Sequence, residues 1–222
     1  MLPAVRLTPH WRGIFESMNA EAIQVAVFID WQNTYKTARE AFGWDLDFPN
    51  EYGNYSPYRL AKLLAAGNER GAGGELVRVN IHRGLPSQRY DREGYAANRR
   101  QSAAWMRENP ELVVPRLRPL RYSRDPEHRP REKGVDVELA LAAVEWILTD
   151  QCKVAVVFSH DTDLVPAVDM LRRLKGGRCI ETASWTSERF NQRIRTQPPV
   201  FHHDLSQEVF DQIETRVNYG HA

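Results

Sequence analysis

Four aspartates carry the chemistry this chain could perform: Asp30, Asp136, Asp161 and Asp163. Asp30 closes the apolar run Val25-Ala26-Val27-Phe28-Ile29, and Asp161 follows Val154-Ala155-Val156-Val157-Phe158, with Asp163 two residues on. Asp136 opens a helix-favouring stretch on the side shared by Ala140, Ala143 and Ile147, where an ordinary amphipathic helix places an apolar residue. Carboxylates pooled in one crevice repel by roughly 4 kcal/mol per pair at about 4 Å and an effective dielectric near ~20. A hard divalent cation, Mg²⁺ or Mn²⁺, offsets such repulsion. The chain offers no Cys/His cluster that would favour zinc instead.

The elements that must position these acids alternate along the chain. Strands are predicted at 24–29, 76–82, 112–117, 153–158 and 179–183, and helices at 34–41, 58–66, 89–108, 135–149 and 164–175. Pro57 and Gly67 suit the start and stop of the second helix. Continuous apolar strands alternating with helices predict an α/β fold: a three-layer α/β/α sandwich with a mainly parallel central sheet. In such sheets ligands bind beyond the carboxyl ends of the strands, where Asp30 and Asp161 both fall. Taken singly, Asp136 and Asp163 also suit helix caps, and Asp30 a turn. Convergence of all four is what favours a metal site over those readings.

Around the acids stand Asn33 and Ser159, each suited to a phosphate oxygen or to capping, and His160, which fits a structural place better than that of a general base. Arg116, Arg118, Arg121, Arg124, Arg131 and Lys133 crowd the segment before Asp136 and would meet a phosphate backbone, with Tyr122 available to stack on a base. A solvated basic loop at 116–133 is the plain alternative. Trp31 suits core packing or base stacking. His202 and His203 lack partners at ligand spacing and read as structural.

The 222 residues, 27% charged and 42% hydrophobic with a net charge of +1, suit one globular domain rather than a disordered or strongly basic chain. Residues 1–22 read as an N-terminal extension, 23–222 as the single domain and 200–222 as a helical tail. Two cysteines, Cys152 and Cys179, border apolar strands and read as buried free thiols. No apolar stretch reaches membrane-spanning length and no signal-peptide core stands at the start, so a cytoplasmic location is expected. A homo-oligomer is left open.

Three separated motifs together resemble the NYN family, a branch of the PIN-like nucleases that includes bacterial LabA-like proteins. They are Val27-Phe28-Ile29-Asp30-Trp31-Gln32-Asn33, Lys133-Gly134-Val135-Asp136, and Val157-Phe158-Ser159-His160-Asp161-Thr162-Asp163-Leu164-Val165-Pro166. The family pattern usually has Gly where Trp31 and His160 stand, and a bulkier His160 would narrow the mouth of the site. The resemblance implies a Mg²⁺- or Mn²⁺-dependent ribonuclease whose metal-binding acids are Asp30, Asp136, Asp161 and Asp163, with Asn33 assisting. Residues and resemblance together lead to an endoribonuclease acting on RNA, single-stranded RNA included. The alternatives are a DNA or flap-type nuclease, and an RNA-binding regulatory module with weak or no turnover.

Overall fold

The computed structural model describes residues 22–44, 47–68, 73–123 and 130–220. Of the expected N-terminal extension, all but Ala22 lies outside these residues, as does Arg124. Six strands form one sheet in the order β3-β2-β1-β4-β5-β6. They are β1 (Ile23–Asp30), β2 (Gly74–Leu85), β3 (Val113–Pro119), β4 (Val154–Phe158), β5 (Ile180–Trp185) and β6 (His202–Leu205). Every neighbouring pair is parallel, which bears out the expected α/β architecture.

The helices are α1 (Trp31–Ala41), α2 (Pro57–Ala66), α3 (Arg92–Glu108), α4 (Val135–Leu148), α5 (Val165–Lys175) and α6 (Gln207–Ile213). β1 explains why both faces of the sheet are covered. Its alternate residues Val25, Val27 and Ile29 enter one core with side chains of α1, α2, α3 and α6, while Ala26 and Phe28 enter a second with α4 and α5. A strand buried on both faces must be apolar throughout, which is why β1 and β4 read as continuous runs. Pro57 stands in the first turn of α2, where its fixed φ suits the helix, and Gly67 is its C-cap.

Two expectations change. The tail is not simply helical: β6 adds an edge strand to β5 before the short α6. Its two histidine side chains are largely buried and are satisfied by polar side chains of β5. The His202 ring hydrogen-bonds to Thr182 Oγ1 at 2.7 Å and Ser184 Oγ at 3.0 Å, and His203 Nε2 meets Glu181 Oε2 at 2.7 Å. The basic segment is not a loop throughout: Arg116 and Arg118 lie on β3, and Arg121 pairs with Arg131 in an antiparallel bridge. No helix among the described residues is long and apolar enough to cross a membrane.

Candidate functional site

β1 and β4 are neighbours, but β1 continues the sheet through β2 on its other side, so the strand order reverses between them. At such a switch point the connections leave in opposite directions and a crevice opens at the carboxyl ends. Asp30 is the last residue of β1, and Ser159 to Asp163 is the exit from β4. The Ser159 hydroxyl donates to Asp30 Oδ2 at 3.0 Å and accepts the Asp161 N–H at 3.1 Å, tying the two strand ends together.

Asp30 and Asp161 serve locally as the caps that the sequence had offered for Asp136 and Asp163. Asp30 Oδ1 accepts the Asn33 N–H at 3.3 Å at the start of α1. Asp161 Oδ1 accepts the Asp163 N–H at 2.9 Å over a short 3-10 turn, Thr162–Leu164. The N-cap of α4 is Gly134, in the left-handed region at φ 78°, and Asp136 follows in the first turn. That turn carries the positive end of the helix dipole, which favours an anion there.

The four carboxyls differ in burial. Asp30 is 3% exposed, Asp136 and Asp161 are half-buried, and Asp163 is exposed. Burial pushes the Asp30 carboxyl up to about 7; its hydrogen bonds from Asn33 and Ser159 oppose this, and the charges of Asp136 and Glu132 add to it. Asp136 is also raised, first by burial and then by the charges of Asp161, Glu132 and Asp163. Asp30, Asp136, Asp161 and Asp163 thus belong to one linked field of negative charge. Among the described residues none of the four takes part in an ion pair. Nor do any three His, Cys, Asp or Glu side chains among those residues stand ready to hold a metal ion together. All four aspartates offer only carboxylate oxygens, the donor type that a hard divalent cation takes.

Glu132, which no sequence pattern singles out, is a further acid near the site. Its Oε1 accepts the Gly84 N–H at 2.7 Å at the end of β2, and a Cβ on Gly84 would overlap both this carboxylate and Leu120. Asn33 reaches the site indirectly: its Oδ1 accepts the His160 N–H at 2.9 Å, pinning the exit of β4 to α1.

The expectation that His160 narrows the mouth is corrected. Its ring is 0% exposed, and Nε2 accepts the Trp185 N–H at 2.9 Å while Nδ1 meets Thr37 Oγ1 at 3.0 Å. The ring therefore points into the core beside β5. Trp31 is 2% exposed with its ring 4.3 Å from that of Trp105, which leaves core packing and removes base stacking.

Of the basic residues, Arg116, Arg118, Arg121 and Lys133 line one groove beside α4. Arg118 donates to the Lys133 carbonyl at 2.8 Å and pairs with Glu138 at 3.5 Å. Arg131 is exposed on the bridge to Arg121. Beyond them Tyr90, 64% exposed, stacks on Tyr122 with centroids 5.0 Å apart.

Burial also holds three histidines neutral. His82, His160 and His202 are each lowered to about 4, and in all three burial is the largest cause. Between about pH 6.5 and 4 the unfolded chain takes up these protons and the folded chain does not, so stability falls with acidification. Asp30 opposes this with one proton held in the folded state between 3.8 and about 7. Urea midpoints measured from pH 7 to 4.5 are expected to fall, with a slope of up to about two protons. A flat profile would mean that the histidines are charged in the fold.

The model of the NYN domain matches residues 24–192. The chain is similar to a crystal structure of a protein of unknown function from Vibrio parahaemolyticus, at 18% identity and a TM-score of 0.49, covering 77% of this chain and 88% of that one. No curated protein matches in sequence.

Proposed function

Because the chain belongs to the NYN domain family, whose members are nuclease-type domains, we propose that it is a metal-dependent endoribonuclease. Asp30, Asp136, Asp161 and Asp163 would hold Mg²⁺ or Mn²⁺ beside the scissile phosphate. The observation that carries this reading is the group of acids at the β1/β4 crevice: burial raises both Asp30 and Asp136, and neighbouring carboxylates add to it, Asp136 on Asp30, and Asp161 and Asp163 on Asp136. When bound, the cation supplies Lewis acidity and a nucleophilic water near neutral pH.

The chain's own groups divide the remaining work. Asp30, gripped by Ser159 and the first turn of α1, is the rigid buried carboxyl of the site, ionised when a cation is bound. Asp161, whose backbone N–H is held by the same Ser159 hydroxyl, stands just beyond the end of β4. Asp136 and the exposed Asp163 complete the donor set or orient the attacking water. Arg116, Arg118, Arg121 and Lys133 supply charge for the phosphate backbone. The Tyr90–Tyr122 stack offers an aromatic surface for an unpaired base, which favours a single-stranded substrate. Trp31 and His160, which stand where the family pattern has Gly, are both buried in the core.

Matched RNA and DNA oligonucleotides incubated with Mg²⁺ or Mn²⁺, beside an EDTA control and Asp161→Asn, test the proposal. Internal cleavage of RNA is expected with either ion, abolished by EDTA and reduced about 10³-fold in Asp161→Asn. Equal activity in the variant would reject the site. Preference for DNA would favour the flap-type alternative, and binding without products the regulatory one.

A further inference from the structure

In parallel pairs, registered residues share a face of the sheet. Asp30 registers with His82 on β2, and His82 with Arg116 on β3, so the acidic crevice continues sideways into a basic strip. This strip borders a groove of about 480 Å³ beside α4, lined by His82, Arg116, Arg118, Arg121 and Lys133. Glu138 and Glu145 also line it, leaving an excess of two positive charges.

His82 is the anomaly. It is 1% exposed, and neither ring nitrogen has a hydrogen-bond partner. Two strand positions earlier on the same face, Asn80 is fully buried with its Nδ2 unpartnered, although its Oδ1 accepts from Arg116 Nε at 3.4 Å. Folded proteins satisfy nearly all buried polar groups, so an orphaned imidazole beneath a ring of cations calls for a ligand rich in acceptors. Phosphate is that ligand: its oxygens accept from an imidazole N–H and from guanidinium forks at once.

We propose that this groove is a phosphate subsite, with His82 donating from its floor to a phosphate of the nucleic acid that flanks the bond cut at the aspartates. The assignment rests on the nuclease reading and adds a determinant of how the strand is registered. His82 lies one strand spacing, about 4.8 Å, from the Asp30 backbone, within reach of the neighbouring nucleotide. An internal diester and a terminal monoester present the same oxygens, and both are tested below.

The full chain carrying Asp161→Asn serves as parent, so that bound RNA stays intact. Single-stranded RNA oligonucleotides in which each phosphate in turn is a neutral methylphosphonate are titrated by fluorescence anisotropy. A parallel set ends in a 5′-phosphate, a 3′-phosphate or hydroxyls. In the parent, one phosphate should stand out, its neutralisation weakening binding about tenfold. Adding His82→Phe should erase the effect at that position alone. Without RNA, this change should raise the thermal midpoint, because it replaces an orphaned polar ring by an apolar one of similar shape.

A structural histidine would lower the midpoint and leave the scan unchanged, and either result overturns the proposal. Should His82→Phe fail to fold, Arg116→Gln, at an exposed position of β3, substitutes. It should reduce the salt dependence of log Kd by about one and flatten the same position; an unchanged slope and scan would overturn the subsite. The two readings fail separately. A position-specific scan without metal-dependent cleavage by the unmutated chain rejects the nuclease and keeps the subsite, while cleavage with a featureless scan does the reverse.

Discussion

Asp30→Asn should produce a protein that is more stable than its parent and close to inactive. Asp30 is buried, with its carboxyl raised from 3.8 to about 7, so ionising it in the metal-free fold is unfavourable. The shift corresponds to roughly 4 kcal/mol at most. Asparagine has nearly the same shape, caps a helix as well, and its amide can donate to the Ser159 oxygen that the carboxylate now accepts from. The sign follows from linkage. Below 3.8 both folded and unfolded parent are protonated, and the penalty is absent. It grows as the pH rises through 3.8 to about 7, while the unfolded chain ionises and the folded chain resists, and is constant above.

Urea denaturation in EDTA should therefore show Asp30→Asn ahead of the parent by about 2–4 kcal/mol at pH 8 and level with it near pH 3.5. Millimolar Mg²⁺ or Mn²⁺ should raise the thermal midpoint of the parent at pH 8 and leave the variant unmoved. Cleavage should fall about 10³-fold. A variant less stable than the parent at pH 8 would show that the fold already neutralises Asp30, and the argument for a cation would lose its footing.

His160→Gly should do the opposite, costing stability while sparing the chemistry. The ring fills the space between α1 and β5, joins the Trp185 N–H to Thr37, and lies 5.3 Å from the Phe190 ring. Removing it leaves a cavity and an unpartnered buried N–H, and adds backbone freedom to the unfolded chain. Together these cost about 3–5 kcal/mol. Because the ring points away from the carboxylates, kcat/KM at a temperature where the variant is folded should change by less than about fivefold. Calorimetry and cleavage rates on one preparation check both halves. Faster cleavage with little loss of stability would mean that the ring does obstruct the site.

Much of the fold was legible because its signals are local. The apolar runs of β1 and β4 are dictated by burial on two faces, and α2 is bracketed by Pro57 and Gly67. β6 was not legible, since His202 to Leu205 has neither an apolar run nor alternation and becomes a strand only through hydrogen bonds to β5. The acids at the strand ends could be read from their contrast with the residues before them. Glu132 and His82 could not: one looked like a counter-charge within a basic segment, the other like the end of an ordinary strand.

The chain alone determined which residues could form a parallel α/β sheet and which carboxylates would end its strands, because burial and backbone preference act over a few neighbouring positions. Only the tertiary structure decided that β1 and β4 lie side by side at the reversal of strand order. Likewise, it alone brought Glu132 into the field of Asp30 and Asp136 and set His82 beside Arg116. Electrostatic coupling depends on distance through space, and residues more than a hundred positions apart become neighbours only when the sheet assembles.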